Sequence, residues 1–230
     1  MVDDHSTDNT VKIAKQFNWS VYTNPSTGIP SGANEALRHV KTKLFISLEQ
    51  DLLLAEDWWS KIPRHLLNEK VAVASGIRLA NKPRAVRKLE EYKMERYSKE
   101  NFLYPTLDNT MYKTEPIQKL GGFPRLYTSG GLDIVLAKRL YSKGYTWKVD
   151  YTVKSTHLRD GLGEELMHEY WYGACKRKID PGVLNAWEAL RLLFSPIRGL
   201  DIAIKKRAPQ IVYIYPLLRF YHLKGILRSI

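Results

Sequence analysis

A chain of 230 residues that is 44% hydrophobic can bury the core of one domain with at most an appendage, and its single cysteine excludes an internal disulfide framework or a cysteine-rich zinc site. The 36 Lys and Arg against 24 Asp and Glu leave +12, which favours an anionic partner: nucleic acid, membrane headgroups or a phosphorylated substrate. Met1-Val2-Asp3-Asp4 has neither the basic nor the apolar region of a signal peptide, and no run approaches the roughly 18 apolar residues that span a bilayer, so an intracellular protein is expected.

In chain order, Met1-Val2 reads as the stub of a strand and Asp3 to Thr10 as a polar turn. Ser6, Thr7 or Asp8 suits the cap of a helix from Val11 to Phe17, whose apolar residues form an amphipathic stripe. Trp19 to Tyr22 is a short strand, and Gly28 to Gly32 a loop leading into a helix from Ala33 to Val40. Leu44, Phe45, Ile46 and Leu48 predict a short buried strand that runs into Glu49-Gln50-Asp51. In an open α/β sheet, ligands bind beyond the carboxyl ends of the strands. Two acids in alternate positions there can share a hard divalent cation, which in turn can bridge nucleotide phosphates. A buried strand ending in a solvated acidic loop would look the same.

A helix from Ala55 to Leu67 and a buried strand from Val71 to Gly76 follow. Lys82 to Lys99 suits a solvated helix, whereas Asn101 to Lys113 holds too many turn residues to assign. Gly121-Gly122-Phe123-Pro124 is a tight loop. Ile134, Val135, Ala137, Leu140 and Tyr141 recur at helical spacing, Gly144 stops that helix, and Trp147 to Tyr151 resumes as a strand. This alternation implies an α/β layered domain with a mostly parallel central sheet. Repeats and low-complexity tracts are absent.

Taken together, Val2-Asp3-Asp4-His5-Ser6-Thr7-Asp8-Asn9-Thr10, Gly28 to Asn34, Glu49-Gln50-Asp51, Gly121-Gly122-Phe123, Gly131-Leu132-Asp133, Lys143-Gly144-Tyr145 and finally His157 form an ordered series that resembles family 2 glycosyltransferases of the GT-A fold. The resemblance covers about residues 1–160 and implies a GT-A-like, Rossmann-related domain there. It further implies inverting transfer from a nucleotide-sugar donor, most often a UDP-sugar, with Mg²⁺ or Mn²⁺ as cofactor. On the matching positions, Asp4 would receive a hydrogen bond from the nucleotide base, with Asp3 and Asn34 on the same donor side. Asp51 would bind the metal, Glu49 the ribose or the metal, and His157 the metal again.

The same resemblance makes Asp133 the base that takes the acceptor hydroxyl proton, a task for a carboxylate of raised pKa. A helix N-cap is the competing account of an acid at that place. Gly121, Gly122 and Phe123 would shape an acceptor-side loop, glycine permitting close backbone approach. Glu49, one methylene longer, stands where the family's Asp-x-Asp motif has its first Asp, and Leu132 where the family's Glu-Asp motif has its first acid. The strand and helix that open family members do not precede Asp3-Asp4, so an N-terminally short version is expected, either a fragment or a protein with part of its donor site lost.

Residues 161–230 differ in character, with aromatic and aliphatic residues interleaved with Lys205, Lys206, Arg207, Arg219, Lys224 and Arg228. Glu164 to Lys178, Val183 to Phe194, Ile202 to Arg207 and Ile211 to Ile230 read as helices, broken at Pro181-Gly182 and Ser195-Pro196. Such an amphipathic extension suits the headgroup zone of an anionic membrane, or packs on the first domain with a solvated basic face. The resemblance implies a glycan or a polyprenyl-phosphate-type acceptor, and a cytoplasmic protein peripheral to the membrane. Nucleic-acid binding would explain +12, but the basic residues are spread and no recognition motif appears, so no nucleic-acid partner is expected. A non-catalytic glycosyltransferase-like scaffold is the other rival.

Overall fold

The computed structural model describes residues 1–126, 128, 130–179 and 186–228. Val2–Asp3 (β1) and Tyr22–Thr23 (β2) pair in parallel, with Val2 opposite Tyr22, and Thr10–Gln16 (α1) connects them. The next helix, Ile29–His39 (α2), begins inside the stretch expected as a loop. Pro30 lies in its first turn, where a missing N–H costs nothing and the fixed φ suits a helix.

Leu44–Ser47 (β3), Leu52–Leu53 (β4), Trp58–His65 (α3), Val71–Ala80 (β5), Arg84–Lys99 (α4), Thr110–Lys113 (β6), Thr114–Lys119 (α5), Leu132–Ser142 (α6) and Thr146–His157 (β7) follow. Five strands form one sheet in the order β3-β6-β5-β7-β4. The α/β class expected from the alternation holds, but this sheet is mixed rather than mostly parallel. The pairing of β5 with β7 is the one parallel ladder in it among the described residues, while β6 lies antiparallel between β3 and β5, and β4 antiparallel on β7. The cause is β6, hidden in the turn-rich Asn101 to Lys113 segment, which returns the chain against both neighbours.

The Leu44 strand is also not the buried one. It is outermost in the sheet, so one of its flanks lacks a ladder neighbour among the described residues, and Leu44 is exposed with Phe45 to Ser47 half-buried. The central place belongs to β5, whose residues are nearly all buried. Its successive residues Val73 and Ala74 enter different apolar clusters, because consecutive strand side chains point to opposite faces. Val73 joins Tyr112, Ile117, Leu136, Leu140 and Trp147, and Ala74 joins Trp58 and Ile62 of α3 and Leu66 at its C-cap.

The C-terminal quarter is helical: Leu162–Ile179 (α7), Ala186–Leu193 (α8), Ser195–Lys206 (α9) and Ile211–Arg228 (α10). The expected break at Pro181-Gly182 and the expected helix start at Val183 lie outside the described residues. Helices α9 and α10 bury Ile202, Ala203, Ile211, Ile214 and Leu218 against Ala80 at the end of β5 and Ala85 and Val86 of α4. α7 and α10 cross where Gly173 faces the His222 carbonyl and Gly225 the Tyr170 carbonyl, so closely that a methyl group on either glycine would collide with the other helix's backbone. Among the described residues no helix is long and apolar enough to cross a membrane.

Candidate active site

Main-chain register builds the centre of the site. β4 pairs with β7 so that Leu52 lies opposite His157, and the Leu158 N–H donates to the Asp51 carbonyl at 2.7 Å. Asp51 is thereby set beside His157, with Nε2 3.0 Å from Oδ2. Glu49, on the turn between β3 and β4, completes a group in which one ligand atom from each of the three residues lies within 4.8 Å of the others. Two carboxylates and an imidazole suit Mn²⁺, and the oxygen donors suit Mg²⁺, so the residues fit the expected divalent cation.

Electrostatics favour that use. His157 is only 5% exposed, and burial, reinforced by the charges of Arg78 and Arg159, lowers its pKa. The imidazole therefore stays neutral, the form that binds metal. Desolvation of the Glu49 carboxyl, followed by repulsion from Asp108, pushes it up to about 7. Its side chain remains 44% exposed and Arg78 stands 3.6 Å away, both of which restrain that rise.

Arg78 and Asp108 were not foreseen. Asp108 is 2% exposed, forms an ion pair with Arg78 Nη1, and keeps its other carboxylate oxygen buried without a hydrogen bond. Arg78 Nη2 also donates to the Tyr172 hydroxyl at 3.3 Å, which ties α7 to the strand ends. Arg78 had a signal in the sequence: it is the only charged residue in the apolar run Val71 to Ala80, and a charge in a buried strand needs a partner. Asp108 had none, being one acid in a turn-rich loop. Arg159 is a second buried cation, bonded to Glu164 at 2.8 Å and to His168 Nε2 at 2.7 Å.

Asp133 lies in the first turn of α6, whose N-cap is Gly131, so it is not itself the cap. Burial raises its pKa, and its carboxyl is within electrostatic reach of Arg78 and Asp108, the pair that faces Glu49. The preceding Leu132 is 1% exposed, so that position packs the core.

The expected donor-side residues gather elsewhere. Asp4 accepts from Asn24 Nδ2 at 2.7 Å and from the Gly28 N–H at 3.1 Å, and Asp3 accepts from the Ser6 N–H at 3.1 Å. Asn34 binds the backbone of Phe123 twice, donating to its carbonyl at 3.0 Å and accepting from its N–H at 2.9 Å. It thus latches α2 to the Gly121-Gly122-Phe123 loop, where Gly122 has φ +91° and a methyl group would strike the Asn34 amide. A cleft of about 470 Å³ opens alongside, with Ser26, Ser31, Asn34, Arg38 and Arg125 in its walls.

Solved structures of GT-A-type glycosyltransferases share this fold. The mannosyltransferase PcManGT from Pyrobaculum calidifontis, in complex with GDP-Man and Mn²⁺, matches with TM-score 0.64 and 18% identity over 99% of this chain and 76% of its own. S. aureus TarS in complex with UDP-GlcNAc matches at 0.52 and 15% identity, over 99% of this chain and 79% of its own. Glucosyl-3-phosphoglycerate synthase from Mycobacterium tuberculosis, with Mn²⁺ and UDP-glucose, gives 0.53 and 15% over 77% and 65%. At such identities the likeness is one of fold. No curated protein matches the sequence. The family model for glycosyl transferase family 2 matches residues 1–127, more than half of the chain, and the protein belongs to that family. It is a glycosyltransferase.

Proposed function

We propose that the protein transfers a sugar, with inversion, from a nucleotide-sugar donor to an acceptor hydroxyl, and that it depends on Mg²⁺ or Mn²⁺. The convergence of Glu49, Asp51 and His157 at the strand ends carries this reading. When bound there, the cation supplies Lewis-acid stabilisation of the charge that develops on the departing nucleoside diphosphate. Asp51 and His157 hold it, and Glu49 joins them or the ribose. Asp4, with Asp3 and Asn34, faces the nucleotide, most simply a UDP-sugar. UDP-sugars are the donors bound in two of the three similar structures, and GDP-Man in the third.

Asp133 acts as the base. As the acceptor oxygen bonds to the anomeric carbon and the diphosphate leaves with its electron pair, the hydroxyl proton passes to the Asp133 carboxylate. The raised pKa from burial suits a group that must hold that proton. Gly121, Gly122 and Phe123 form the acceptor side. The acceptor is a growing glycan or a polyprenyl-phosphate-type lipid. Residues 1–160 make the catalytic domain, and residues 161–230 a basic helical extension that rests on the cytoplasmic face of the membrane.

A non-catalytic scaffold is the competing reading, favoured by the core leucine that precedes Asp133. A thermal-shift panel of UDP, GDP and dTDP with and without Mn²⁺, on this chain and on Asp51→Ala, separates the two. Transfer predicts a Mn²⁺-dependent shift that the variant loses. No shift with any nucleotide would leave only the scaffold.

A further inference from the structure

Helix α9 has two apolar faces. Ser195, Gly199, Ile202 and Ala203 are buried against the rest of the molecule. Ile197, Leu200 and Ile204 lie about half a turn away at 3.6 residues per turn, and are 68, 51 and 71% exposed. α8 and its junction with α9 continue this outer face with Trp187, Leu190, Leu193 and Phe194, all exposed. A row of large apolar side chains of this length on a water-facing surface marks a contact surface, whereas scattered ones would not.

The charge around the ridge selects its occupant. Between Lys176 and Ile230 stand eleven basic and three acidic residues, a balance of +8 within the chain's +12. The heads of Arg191 and Lys205, beside the ridge, remain 57 and 55% exposed in their ion pairs with Glu188 and Asp201. Where both partners are exposed, as in Lys205 and Asp201, such a pair is weak and leaves the cation available to another anion, while the single buried carboxylate of Glu188 is shared between Lys176 and Arg191 and cannot neutralise both. Two copies of so positive a helical segment repel each other. A leaflet rich in anionic headgroups attracts it and offers hydrocarbon beneath, with the long basic stems lying along the boundary.

We propose that the outer face of α8 and α9, from Trp187 to Ile204, is the part of this protein that enters an anionic lipid leaflet. This rests on the membrane reading given above for the C-terminal helices and assigns it to one face. Among the described residues no helix is long and apolar enough to span the bilayer, so this face would lie in the headgroup zone.

The test uses flotation of the full chain with vesicles of phosphatidylcholine alone or with roughly a third phosphatidylglycerol. Leu193→Glu with Ile197→Glu is the ridge variant, and Val212→Glu with Tyr213→Glu, exposed positions on α10, is the control. The wild type is expected to float with the anionic vesicles only, and brominated lipids to quench emission that Trp187→Phe removes. The ridge variant should bind at least about tenfold more weakly at an unchanged melting temperature, since two exposed apolar side chains that would enter the leaflet are exchanged for charges. The control should bind as the wild type does. Equal binding by the ridge variant and the wild type would overturn the assignment while leaving membrane association standing, and no flotation of the wild type would overturn both. Self-association of the wild type that the ridge variant abolishes, without lipid binding, would identify the face as a contact between copies and refute the proposal. The nucleotide thermal shift, measured on the same variants, is expected to be unchanged and reads the transferase proposal separately.

Discussion

His157 Nε2 stands 3.0 Å from Asp51 Oδ2, and the backbone holds both residues there through the pairing of Leu52 with His157 and the 2.7 Å bond from the Leu158 N–H to the Asp51 carbonyl. Because main-chain bonds set the approach, either side chain can be removed without moving the other. His157→Ala and Asp51→Ala are each expected to weaken Mn²⁺ binding by more than about 10–100-fold, the loss typical for groups that only support a metal ligand. Electron paramagnetic resonance of free Mn²⁺ measures it. Affinity unchanged in both variants would remove the metal site.

Glu49 gives that binding a pH dependence. Its carboxyl is held near 7, so at lower pH a cation must displace a proton from it, while the lowered pKa of His157 leaves the imidazole neutral across the same range. Mn²⁺ affinity should rise by up to about tenfold per unit between about pH 6 and about pH 7, then level off. Glu49→Gln should flatten the profile. Without metal the sign for stability is opposite. The folded state binds this proton more tightly than the unfolded one, so the contribution of Glu49 to stability falls as pH rises from about 4 to about 7. With the side chain 44% exposed, solvent screening keeps that fall small.

Asp133→Asn should lower kcat by about 10²–10⁴-fold, the usual worth of a positioned general base, with the donor-induced thermal shift retained. Because burial raises the pKa of Asp133, the acidic limb of the rate profile should lie above the ordinary aspartate value of about 4. Steady-state kinetics across pH check both. A variant with wild-type kcat would take the base assignment from Asp133.

The Arg78–Asp108 pair links stability to the site. Arg78→Met leaves the Asp108 carboxylate buried and unpaired, a loss of about 3–5 kcal/mol in urea denaturation. Asp108→Asn removes a charge that raises the Glu49 pKa, so the midpoint of the metal-binding profile should move to lower pH. A midpoint that stays in place would show that burial alone sets Glu49.

Where α7 crosses α10, Gly225→Ala puts a methyl group against the Tyr170 carbonyl. The helices must then separate, at a cost of about 1–3 kcal/mol or more. Calorimetry should show a lower melting temperature. An unchanged one would mean that the crossing relaxes freely.

Two of the helices were legible in the chain for different reasons. Leu132–Ser142 contains the residues at helical spacing from Ile134 to Tyr141 and ends before the expected stop at Gly144, and Arg84–Lys99 falls within the charge-rich stretch Lys82 to Lys99, since spacing and stop residues act within a turn or two of the backbone. β6 was not legible, because its four residues follow a turn-rich loop and gain their ladder only from β3 and β5. The burial of the Leu44 strand was misjudged for a related reason. Apolar composition does not say whether a strand will be central or at an edge, and that follows from strand order.

The ordered landmarks from Asp3 to His157 were enough to mark a family 2 glycosyltransferase, because residue identity and order survive in a chain with no coordinates. They also named Glu49, Asp51 and His157. The approach of Asp51 to a histidine 106 residues later needed the β4–β7 register, and the shift of Glu49 to about 7 needed its desolvation by the folded chain and then the charge of Asp108. Neither follows from spacing along the chain, since strand pairing and desolvation depend on which distant segments meet. The same holds for α9. Its sequence promises an amphipathic helix, yet which of its two apolar faces meets water was decided only when the other packed against Ala80, Ala85 and Val86.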